Sequence, residues 1–394
     1  MANYLIRRSF QMIVVMFLSA LACYWLLSIA PGGPWEGLLQ QQGSATRQID
    51  AEDVARIRAQ FELDIYFPFR FTRWLVGWPS GPIMIGGQPL LKDLIVGCFM
   101  TLEQSVNGEM QVVGCQDYVT MSELEGRRVS RGIVFGDFGN SWGILRDRPV
   151  SIVLMSRIPR TLQLLVTSIT IALLIGVPLG LLSAVRQYSL FDYFTTFIAF
   201  VGSSMPTFFF GLLLILTFSV LFKGLGWFYL PSGDAIGVRD YVIPLLGKVE
   251  AKSLLDQALR MIMPTSVLVL VSVAGWSRFV RSSMLEVMRQ DYVRTARAKG
   301  LLENVVIFKH AFRNALIPFV TIVVFAIPGA FSGAVATETV FNWPGMGRLF
   351  FDALGRADYP VAMSILLIGA FLTVIATLLG DILYTVVDPR IRLS

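Results

Sequence analysis

Six long apolar segments constrain this sequence more than any other feature. The hydrocarbon core of a bilayer is about 30 Å thick, and a helix needs roughly 20 apolar residues to cross it. Windows of that size occupy 9–30, 161–185, 191–222, 261–281, 316–340 and 361–387. Of the 394 residues, 55% are hydrophobic and only 15% are charged, which is outside the usual range of soluble proteins. The chain is therefore predicted to be an all-α polytopic membrane protein with six transmembrane helices.

The first window, 9–30, has a second interpretation as a cleaved signal peptide. The apolar region of a signal peptide has about 7–15 residues. This run is longer, and no clean small-residue cleavage site follows it. We interpret it as the first transmembrane helix.

Three of the later windows contain a proline: Pro178, Pro206 and Pro328. Kinks are expected there, because neighbouring helices can satisfy the backbone groups that a proline frees. Breaks in regular helix are predicted at Met205-Pro206 and Pro328-Gly329. Irregular backbone at membrane depth is tolerated beside protein or a water-filled path. The candidate pathway-lining residues near these breaks are Ser203, Ser204, Thr207 and Ser332. Packing of small residues between helices explains them equally well.

The distribution of lysine and arginine beside the windows predicts the orientation of the chain. With the N-terminus inside, the cytoplasmic segments carry Arg7, Arg8, Arg186, Arg281, Arg289, Arg294, Arg297, Lys299, Lys309, Arg313, Arg390 and Arg392. The short outer loops hold fewer basic residues. Both termini are therefore expected in the cytoplasm, with the chain in the cytoplasmic (inner) membrane. This topology accounts for the net charge of +6, so the charge does not indicate a nucleic acid partner.

The predicted topology divides the chain into three regions. These are the N-terminus and helix 1 over 1–30, an extracytoplasmic domain over 31–160, and a five-helix core over 161–394 with a cytoplasmic loop at 284–315. Within the outer segment, the apolar residues of 49–63 have helical spacing. Apolar patches between glycine and asparagine turns follow, which indicates short strands or an irregular cap. A small domain of mixed α and β structure is expected.

Cys98 and Cys115 both lie in this outer segment, whereas Cys23 lies in the first window. An oxidising compartment permits a disulfide between Cys98 and Cys115. Two unpaired buried thiols are the alternative. The two cysteines alone do not decide between these states.

The loop between the fourth and fifth windows is too long to be a turn. It contains the stretch DYVRTARAKGLLENVVIFKHAFRN, residues 291–314. Asp291 is expected to cap a first helix, and Gly300 is expected to end it with a left-handed C-cap. A second helix is expected over 303–314.

Ala296 and Gly300 are four residues apart, so a helix would place them on one face. Two residues this small leave room for close approach by another surface, and Arg294, Arg297 and Lys299 surround them with charge. We predict that this segment inserts into a groove on a cytoplasmic partner. Contact with lipid headgroups alone is the alternative, but it would not require the alanine and the glycine.

Several motifs together resemble one family of transport proteins. They are YVRTARAKGL and KHAFRNALIP in the loop, YLIRR at the N-terminus, APGGP after the first window, ETVFNWPGMGRL after the fifth, RADYPV before the sixth and DPRIR at the C-terminus. They closely resemble binding-protein-dependent ABC transporter permeases of the dipeptide, oligopeptide and nickel importer subclass. The resemblance covers most of the chain outside roughly 79–132.

The chain departs from the broader family in two places. The loop motif of that family begins Glu-Ala-Ala, and Arg294 and Thr295 stand here for its first two residues, as they do in the peptide subclass. The outer segment also looks longer than that of typical members.

The resemblance implies the type I ABC importer permease fold. It implies a permease subunit that forms half of the translocation pathway for a peptide or similar oligomeric solute. The implied partners are a homologous, nonidentical second permease, two ATPase subunits on the cytoplasmic face, an extracytoplasmic solute-binding protein and the lipid bilayer. ATP and Mg would bind to the ATPases, and this chain would hold no cofactor. The residues implied to couple to the ATPases are Asp291, Tyr292, Arg294, Thr295, Ala296, Arg297, Ala298, Lys299, Gly300 and Leu301.

Signals for catalysis and metal binding are weak. Gly247-Lys248 is followed by Val249 and lacks the upstream glycine of a phosphate-binding loop. The single histidine, His310, has no evident partners for a metal site or a catalytic triad. The chain is predicted not to be an enzyme and to hold neither catalytic nor metal-binding residues.

Two acidic residues lie near the ends of apolar windows. Asp381 is expected near the inner boundary, where a structural role is favoured over a functional one. Glu338 is expected near the outer boundary. It could contact the binding protein or help to gate the outer mouth, but a local cap for the ETVFNWPGMG turn is favoured.

Other functions predict patterns that differ from this one. A transporter driven by an ion gradient would show internal hydropathy repeats and paired midplane acids, and we find neither. A membrane-anchored sensor or scaffold with a large outer domain would not need a loop with Ala296 and Gly300 ready for a partner. The importer-type loop argues against an ABC exporter. Nickel and oligosaccharides remain alternatives to peptides as the imported solute.

Overall fold

The computed structural model describes residues 2–29, 51–85, 88–106, 109–127 and 130–387. The described helices are α1 (Ala2–Ile29), α2 (Ala51–Gln60), α3 (Phe67–Val76), α4 (Val150–Val185), α5 (Leu190–Ser204), α6 (Thr207–Gly224), α7 (Leu254–Val287), α8 (Asp291–Ala298), α9 (Glu303–Ala315), α10 (Ile317–Gly333), α11 (Val335–Val340), α12 (Met346–Gly355) and α13 (Tyr359–Val387). The strands are β1 (Ile83–Ile85), β2 (Gln88–Leu90), β3 (Ile95–Val106), β4 (Glu109–Thr120), β5 (Tyr241–Ile243) and β6 (Gly247–Val249). The motifs APGGP and DPRIR, with Arg390 and Arg392, lie outside the described residues.

Long apolar helices dominate this fold, as the sequence predicts. In the described ranges, α1, α4, α6, α7 and α13 are each long and apolar enough to cross a membrane. The pair α9 and α10 forms a sixth candidate if it crosses as one span bent by 48°. Each predicted window overlaps one of these spans. The third window covers both α5 and α6, and the fifth covers both α10 and α11. The all-α polytopic class is confirmed.

The prolines act differently from one another. Met205 has extended backbone (φ −86°, ψ 124°) and separates α5 from α6, as expected for a residue before proline. By contrast, α10 continues through Pro328, and α4 continues through Pro178. The predicted break at Pro328-Gly329 is therefore wrong. One missing N–H does not end a helix when neighbouring groups compensate, and the bend lies instead between α9 and α10.

By its internal contacts, the chain divides into two compact units. The first unit comprises the described parts of 1–16, 157–351 and 368–394, and the second comprises those of 17–156 and 352–367. The second unit thus contains the outer segment that the sequence analysis treats as a separate domain. It also contains part of α1 and the beginning of α13.

The core of the first unit forms where α4, α7 and α9 meet. A Cβ on Gly180 would lie 2.5 Å from the carbonyl oxygen of Ser277 and 2.8 Å from the Cβ of Val280, so only glycine permits this approach of α4 to α7. Trp276 of α7 packs edge-on against Phe319 of α10, with ring centroids 5.8 Å apart. Small residues thus bring these helices close, and aromatic residues fill the space beside the contact.

Glu338 joins α11, α4 and α12. Its side chain is fully buried and accepts hydrogen bonds from the backbone N–H of Arg348 (2.8 Å) and the hydroxyl of Thr161 (3.4 Å). The Thr161 oxygen in turn accepts from the N–H of Met346 (2.7 Å). A Cβ on Gly345 would collide with the Glu338 carboxylate. Glu338 therefore caps the first turn of α12, which is the role that the sequence analysis favours.

A second buried acid, Asp256, holds the loop that precedes α7. It has no exposed surface and accepts hydrogen bonds from Gly237 N (2.6 Å), Tyr241 Oη (2.9 Å) and Arg260 Nε (2.6 Å). The contact with Tyr241 fixes the β5–β6 hairpin to the helix. The sequence analysis does not single out this acid, because its partners are scattered along the loop.

The second unit has the predicted mixture of helices and strands. Strands β3 and β4 form a long antiparallel hairpin whose register runs from Ile95↔Thr120 to Val106↔Glu109. Cys98 and Cys115 form a disulfide across this hairpin. The base of the hairpin is covered by a small apolar core that contains Ile65, Val96, Val119, Met121 and Leu124. The stretch 131–142 forms a short 3-10 turn, Ile133–Phe135, and loops.

A buried aspartate fixes the loop 141–145 to the start of α13. Asp358 is fully buried, and its carboxylate accepts from the backbone N–H groups of Trp142 (3.0 Å), Gly143 (3.0 Å) and Ile144 (2.9 Å). It also accepts from the Ser141 hydroxyl. Three consecutive N–H groups form a concave site that suits an anion. The RADYPV motif thus supplies the anion for a site inside its own chain.

We predict that Asp358→Asn destabilises the second unit by roughly 3 kcal/mol, because an amide nitrogen would face donors that need an acceptor. Thermal unfolding of the purified chain, followed by tryptophan fluorescence, should show a midpoint several degrees lower. Asp93→Asn is the control, since Asp93 lies in an exposed turn of the same unit. Equal midpoints for the two variants would contradict this role of Asp358.

Candidate functional site

The predicted coupling segment forms two helices after α7. Helix α8 begins at Asp291, and the N-cap is Gln290, which makes no side-chain capping bond. Asp291 is therefore the first helical residue and not the cap, so that expectation is wrong. Its side chain is 99% exposed and lies 3.9 Å from Arg294. Its charge at the first turn still suits the positive end of the helix dipole.

Gly300 ends α8 in the left-handed conformation, as predicted, with φ +77°. Its N–H donates to the carbonyl of Arg297 (2.9 Å), and the N–H of Leu301 donates to the carbonyl of Ala296 (3.4 Å). This pair of bonds is the Schellman arrangement, which satisfies carbonyls at the helix end. A Cβ on Gly300 would meet nothing within 4 Å, so the residue faces open space in this chain.

The structure corrects the predicted role of Ala296. Ala296 is only 5% exposed and packs with Val293 and with Val306 of α9. The face that contains Val293 and Ala296 is buried against the chain's own next helix, because these are the small apolar positions that α8 offers at a spacing of three. Ala296 and Gly300 therefore do not share a face that is open to a partner.

The face open to a partner consists of other residues of the same segment. The exposed residues are Asp291, Tyr292, Arg294, Thr295, Arg297, Ala298, Lys299, Gly300 and Leu301. Among them, Thr295 and Ala298 are small and lie three apart on the outer side of α8. They are the small residues on the exposed side of α8, where the sequence analysis expects Ala296.

Arg297 connects the two helices across the glycine turn. Its guanidinium lies 2.7 Å from the carboxylate of Glu303, at the start of α9. The hydrogen bond to Glu303 raises the pKa of the Arg297 guanidinium, so this group stays charged. Arg294 and Lys299 carry the other positive charges of residues 291–301. Since the Arg297–Glu303 pair is exposed, it contributes little to stability and mainly orients the turn.

Helix α9 is packed onto α7. The Ser283 hydroxyl of α7 donates to the carbonyl of Ala315 at the end of α9 (2.9 Å). Met284, Ala311 and Ala315 are buried together in the core of the first unit. Helix α8 is thus joined to α7 through α9.

An ion pair fixes α7 to the hairpin of α4 and α5. The Arg281 guanidinium binds both carboxylate oxygens of Asp192, at 2.7 and 2.8 Å. Asp192 is 2% exposed and also accepts from the Ser183 hydroxyl and from the N–H of Tyr188 (3.0 Å). We call these residues, Ser183, Asp192 and Arg281, the helix clamp. The sequence analysis counts Arg281 only as a basic residue, because Asp192 lies far from it along the chain.

The candidate pathway residues lie on α5, α6 and α10. Ser203 and Ser204 are exposed at the end of α5, and the Ser203 hydroxyl donates to the carbonyl of Phe200 (3.1 Å). Thr207 is half-buried at the start of α6. Ser332 lies in α10, at a position whose side chain is outside the described part. Exposure of Ser203 and Ser204 is compatible with either a pathway or a subunit contact.

The remaining polar candidates, Asp381 and His310, lie within helices of the first unit. Asp381 of α13 pairs with Arg8 of α1 at 2.6 Å, which matches the structural role expected for it. His310 lies in the wide helical turn Val306–Phe312 of α9. Within the described ranges, no group of three or more His, Cys, Asp or Glu side chains is arranged to hold a metal ion.

Comparison with known proteins identifies the class. Residues 176–393 match the family described as binding-protein-dependent transport system inner membrane component. An oligopeptide transport system permease protein of Bacillus subtilis (strain 168) is 46% identical over 260 residues, which cover 66% of this chain and 77% of that protein. A dipeptide transport system permease protein of Escherichia coli (strain K12) is 40% identical over 273 residues, which cover 66% of this chain and 78% of that protein.

A solved structure of the MetNI methionine ABC transporter, in an inward-facing conformation, is 16% identical with a TM-score of 0.45. The structural match covers 60% of this chain and 97% of the chain in the solved structure.

The long apolar helices and the family match together define a multi-pass membrane subunit of a transport system. The chain belongs to the family of binding-protein-dependent transport system inner membrane components. It is a permease subunit of an ABC importer with the type I fold, as the motifs imply.

We predict that a thiol at position 298 reacts readily and that a thiol at position 296 does not. Ala298→Cys and Ala296→Cys, each with Cys23→Ser, would be purified without partner subunits and treated with a maleimide. Labelling at 298 should be roughly tenfold faster or more, because a buried thiol reacts only after local opening. Equal rates would mean that α8 is not packed on α9 as described.

We predict that Arg281→Gln weakens the helix clamp by about 3 kcal/mol, because it leaves the buried Asp192 carboxylate without its main partner. In proteoliposomes with its partner subunits, the variant should transport less solute per ATP hydrolysed. The solute transported per ATP by Arg281→Lys should fall between the values for wild type and Arg281→Gln, since lysine keeps the charge but not the bidentate geometry. Arg278→Gln is the control on the same helix, where Arg278 stacks on Phe200. Unchanged coupling in Arg281→Gln would argue against the clamp.

Proposed function

We propose that this chain is one of two permease subunits of an ATP-driven importer for peptides or similar oligomeric solutes. The observation that carries the substrate class is its 46% identity to an oligopeptide permease and its 40% identity to dipeptide permeases. An extracytoplasmic binding protein delivers the solute, and the second permease is homologous and nonidentical. This chain forms half of the pathway.

The ATPase contact lies on the exposed side of α8. The contact residues are Asp291, Tyr292, Arg294, Thr295, Arg297, Ala298, Lys299, Gly300 and Leu301. Exposed charges beside the small Thr295, Ala298 and Gly300 favour insertion into a groove on a protein partner. Ala296 supports this surface from the buried side of α8 through its packing on Val306.

Movement passes from α8 into the membrane by rigid packing. When the ATPases close on ATP, they draw α8 toward the corresponding helix of the second permease. Helix α9 follows because Ser283 and the buried residues around Ala315 fix it to α7. The helix clamp carries the displacement from α7 to α4 and α5, so the helices move as one body and the pathway changes from inward-facing to outward-facing.

In the proposed topology, both termini and α8 lie in the cytoplasm and the β3–β4 hairpin lies outside. The concentration of basic residues near one set of span ends supports this orientation, and so does the disulfide between Cys98 and Cys115, because disulfides persist in oxidising compartments. ATP and Mg bind to the ATPase subunits, which hydrolyse the nucleotide. Ser203, Ser204, Thr207 and Ser332 remain proposed pathway-lining residues.

Gentle capture of the tagged chain from its native membrane, followed by mass spectrometry, tests this proposal. Two ATPases, a related permease and a binding protein should be retained, and peptides should be released from that binding protein. Nickel or oligosaccharides released instead would overturn the substrate class. If no ATPase is captured with the chain, the alternative function, a membrane-anchored sensor or scaffold, would be favoured.

We predict that Gly300→Val loses most of the retained ATPase and most of the transport, while insertion into the membrane stays normal. Valine is strained at a positive φ and would add a branched side chain at the proposed contact. Gly226→Val is a matched control, because Gly226 also has a positive φ (+70°) and open space around it, but it lies far from α8 along the chain. Similar losses in both variants would point to backbone strain and not to a contact at Gly300.

A further inference from the structure

The second unit contains a large cavity that the proposed transport cycle does not use. Its volume is about 1300 Å³. Part of its wall comes from the last turns of α1, including Tyr24 and Leu27, and part comes from the first turn of α13, including Tyr359 and Met363. These turns are the ends of two candidate membrane spans. The cavity therefore lies at the depth where the lipid headgroups of a bilayer meet the protein.

The wall of this cavity carries an excess of positive charge. It contains five arginines, Arg58, Arg70, Arg73, Arg127 and Arg146, against the three carboxylates of Glu62, Asp137 and Asp147. Arg73 pairs with Glu62, and Arg127 pairs with Asp64. The other three arginines make no ion pair with any described residue.

Two hydrogen-bond donors of the wall lack acceptors. The Nε of Arg70 and the indole N–H of Trp74 are both buried and make no hydrogen bond within the described part of the chain. The guanidinium of Arg70 lies over the Tyr24 ring, 5.7 Å from its centroid, which holds it at the wall. Buried donors without partners are costly. No described carboxylate pairs with the Arg70 guanidinium, and an anionic group in the cavity would offset its charge.

The apolar part of the wall and its surroundings favour a ligand with hydrocarbon chains. Tyr24, Leu27 and Met363 line the side formed by the span ends, and Trp74 of α3 packs against Tyr24. The neighbouring surface of α1 exposes Trp25 (54%) and Leu26 (62%), which suits contact with acyl chains. Basic pockets between membrane helices bind the headgroups of anionic lipids. A bilayer also offers such a ligand at high local concentration.

We propose that this cavity binds the headgroup of an anionic phospholipid. The phosphate is held by Arg58, Arg70 and Arg146, and the acyl chains extend along the ends of α1 and α13. The proposal concerns the second unit alone. It does not depend on the identity of the transported solute or on the ATPase contact.

The test reconstitutes the intact importer complex in bilayers of phosphatidylcholine and phosphatidylglycerol. The complex is then extracted in mild detergent, and the retained lipid is counted by mass spectrometry. The wild-type complex should retain phosphatidylglycerol in preference to phosphatidylcholine. Arg58→Gln with Arg70→Gln should reduce this preference by about fivefold for each arginine removed.

Arg56→Gln is a matched control on the same helix as Arg58. Arg56 pairs with Glu52 and does not line the cavity, so its substitution should leave the preference unchanged. If the double variant does not fold, as judged by its thermal midpoint, Arg146→Gln is used instead and should also reduce the preference for phosphatidylglycerol. Arg146 lies in an exposed loop, so this substitution should not disturb folding.

Three results would overturn the proposal. One is equal retention of the two lipids by the wild-type complex. Another is full retention of phosphatidylglycerol by the arginine variants. The last is displacement of the retained lipid by inorganic phosphate, which would mean that the cavity takes a free anion and that acyl chains contribute nothing.

Discussion

The absence of water in the bilayer core is the constraint on which this structure depends. Every backbone N–H and C=O at that depth needs a partner within the protein, so the spans are helices with satisfied interiors. The segments between those spans, by contrast, must be satisfied case by case. Glu338 and Asp358 do this by accepting from N–H groups at the start of α12 and in the loop 141–145. Buried carboxylates at helix ends therefore set which loops can form.

The proposed coupling of α8 to the membrane helices rests on packing among α8, α9 and α7. Val293 and Ala296 fix α8 to α9, and Ser283 fixes α9 to α7. A loosely attached α8 would absorb a displacement in its own turn. In the proposed cycle, these two contacts would carry a force on the exposed residues of α8 to α7 and, through Arg281 and Asp192, to α4 and α5. Close packing transmits strain because protein interiors are dense and resist compression.

The second unit shows how an insertion can be stable although it is small and rich in loops. An isolated two-stranded hairpin is marginal in water. Here the β3–β4 hairpin has a disulfide, a packed base around Val96 and Val119, and two helices beside it. The cavity wall of the same unit is stabilised by apolar packing around Tyr24 and Phe71 and by the Arg73–Glu62 and Arg127–Asp64 pairs. Arg58, Arg70 and Arg146 make no ion pair with a described residue, which leaves them for the proposed ligand.

The sequence by itself determined the spans, the glycine turn at Gly300 and the family, because each depends on local composition or on a contiguous motif. The tertiary structure decided which face of α8 is open, since the burial of Ala296 depends on Val306 in the next helix. It also decided that Asp192 pairs with Arg281, that Glu338 lies under the turn at Gly345, and that α10 continues through Pro328. These outcomes join residues that are distant along the chain, or depend on neighbours that replace a lost hydrogen bond. Periodicity and motif spacing carry no information about such contacts.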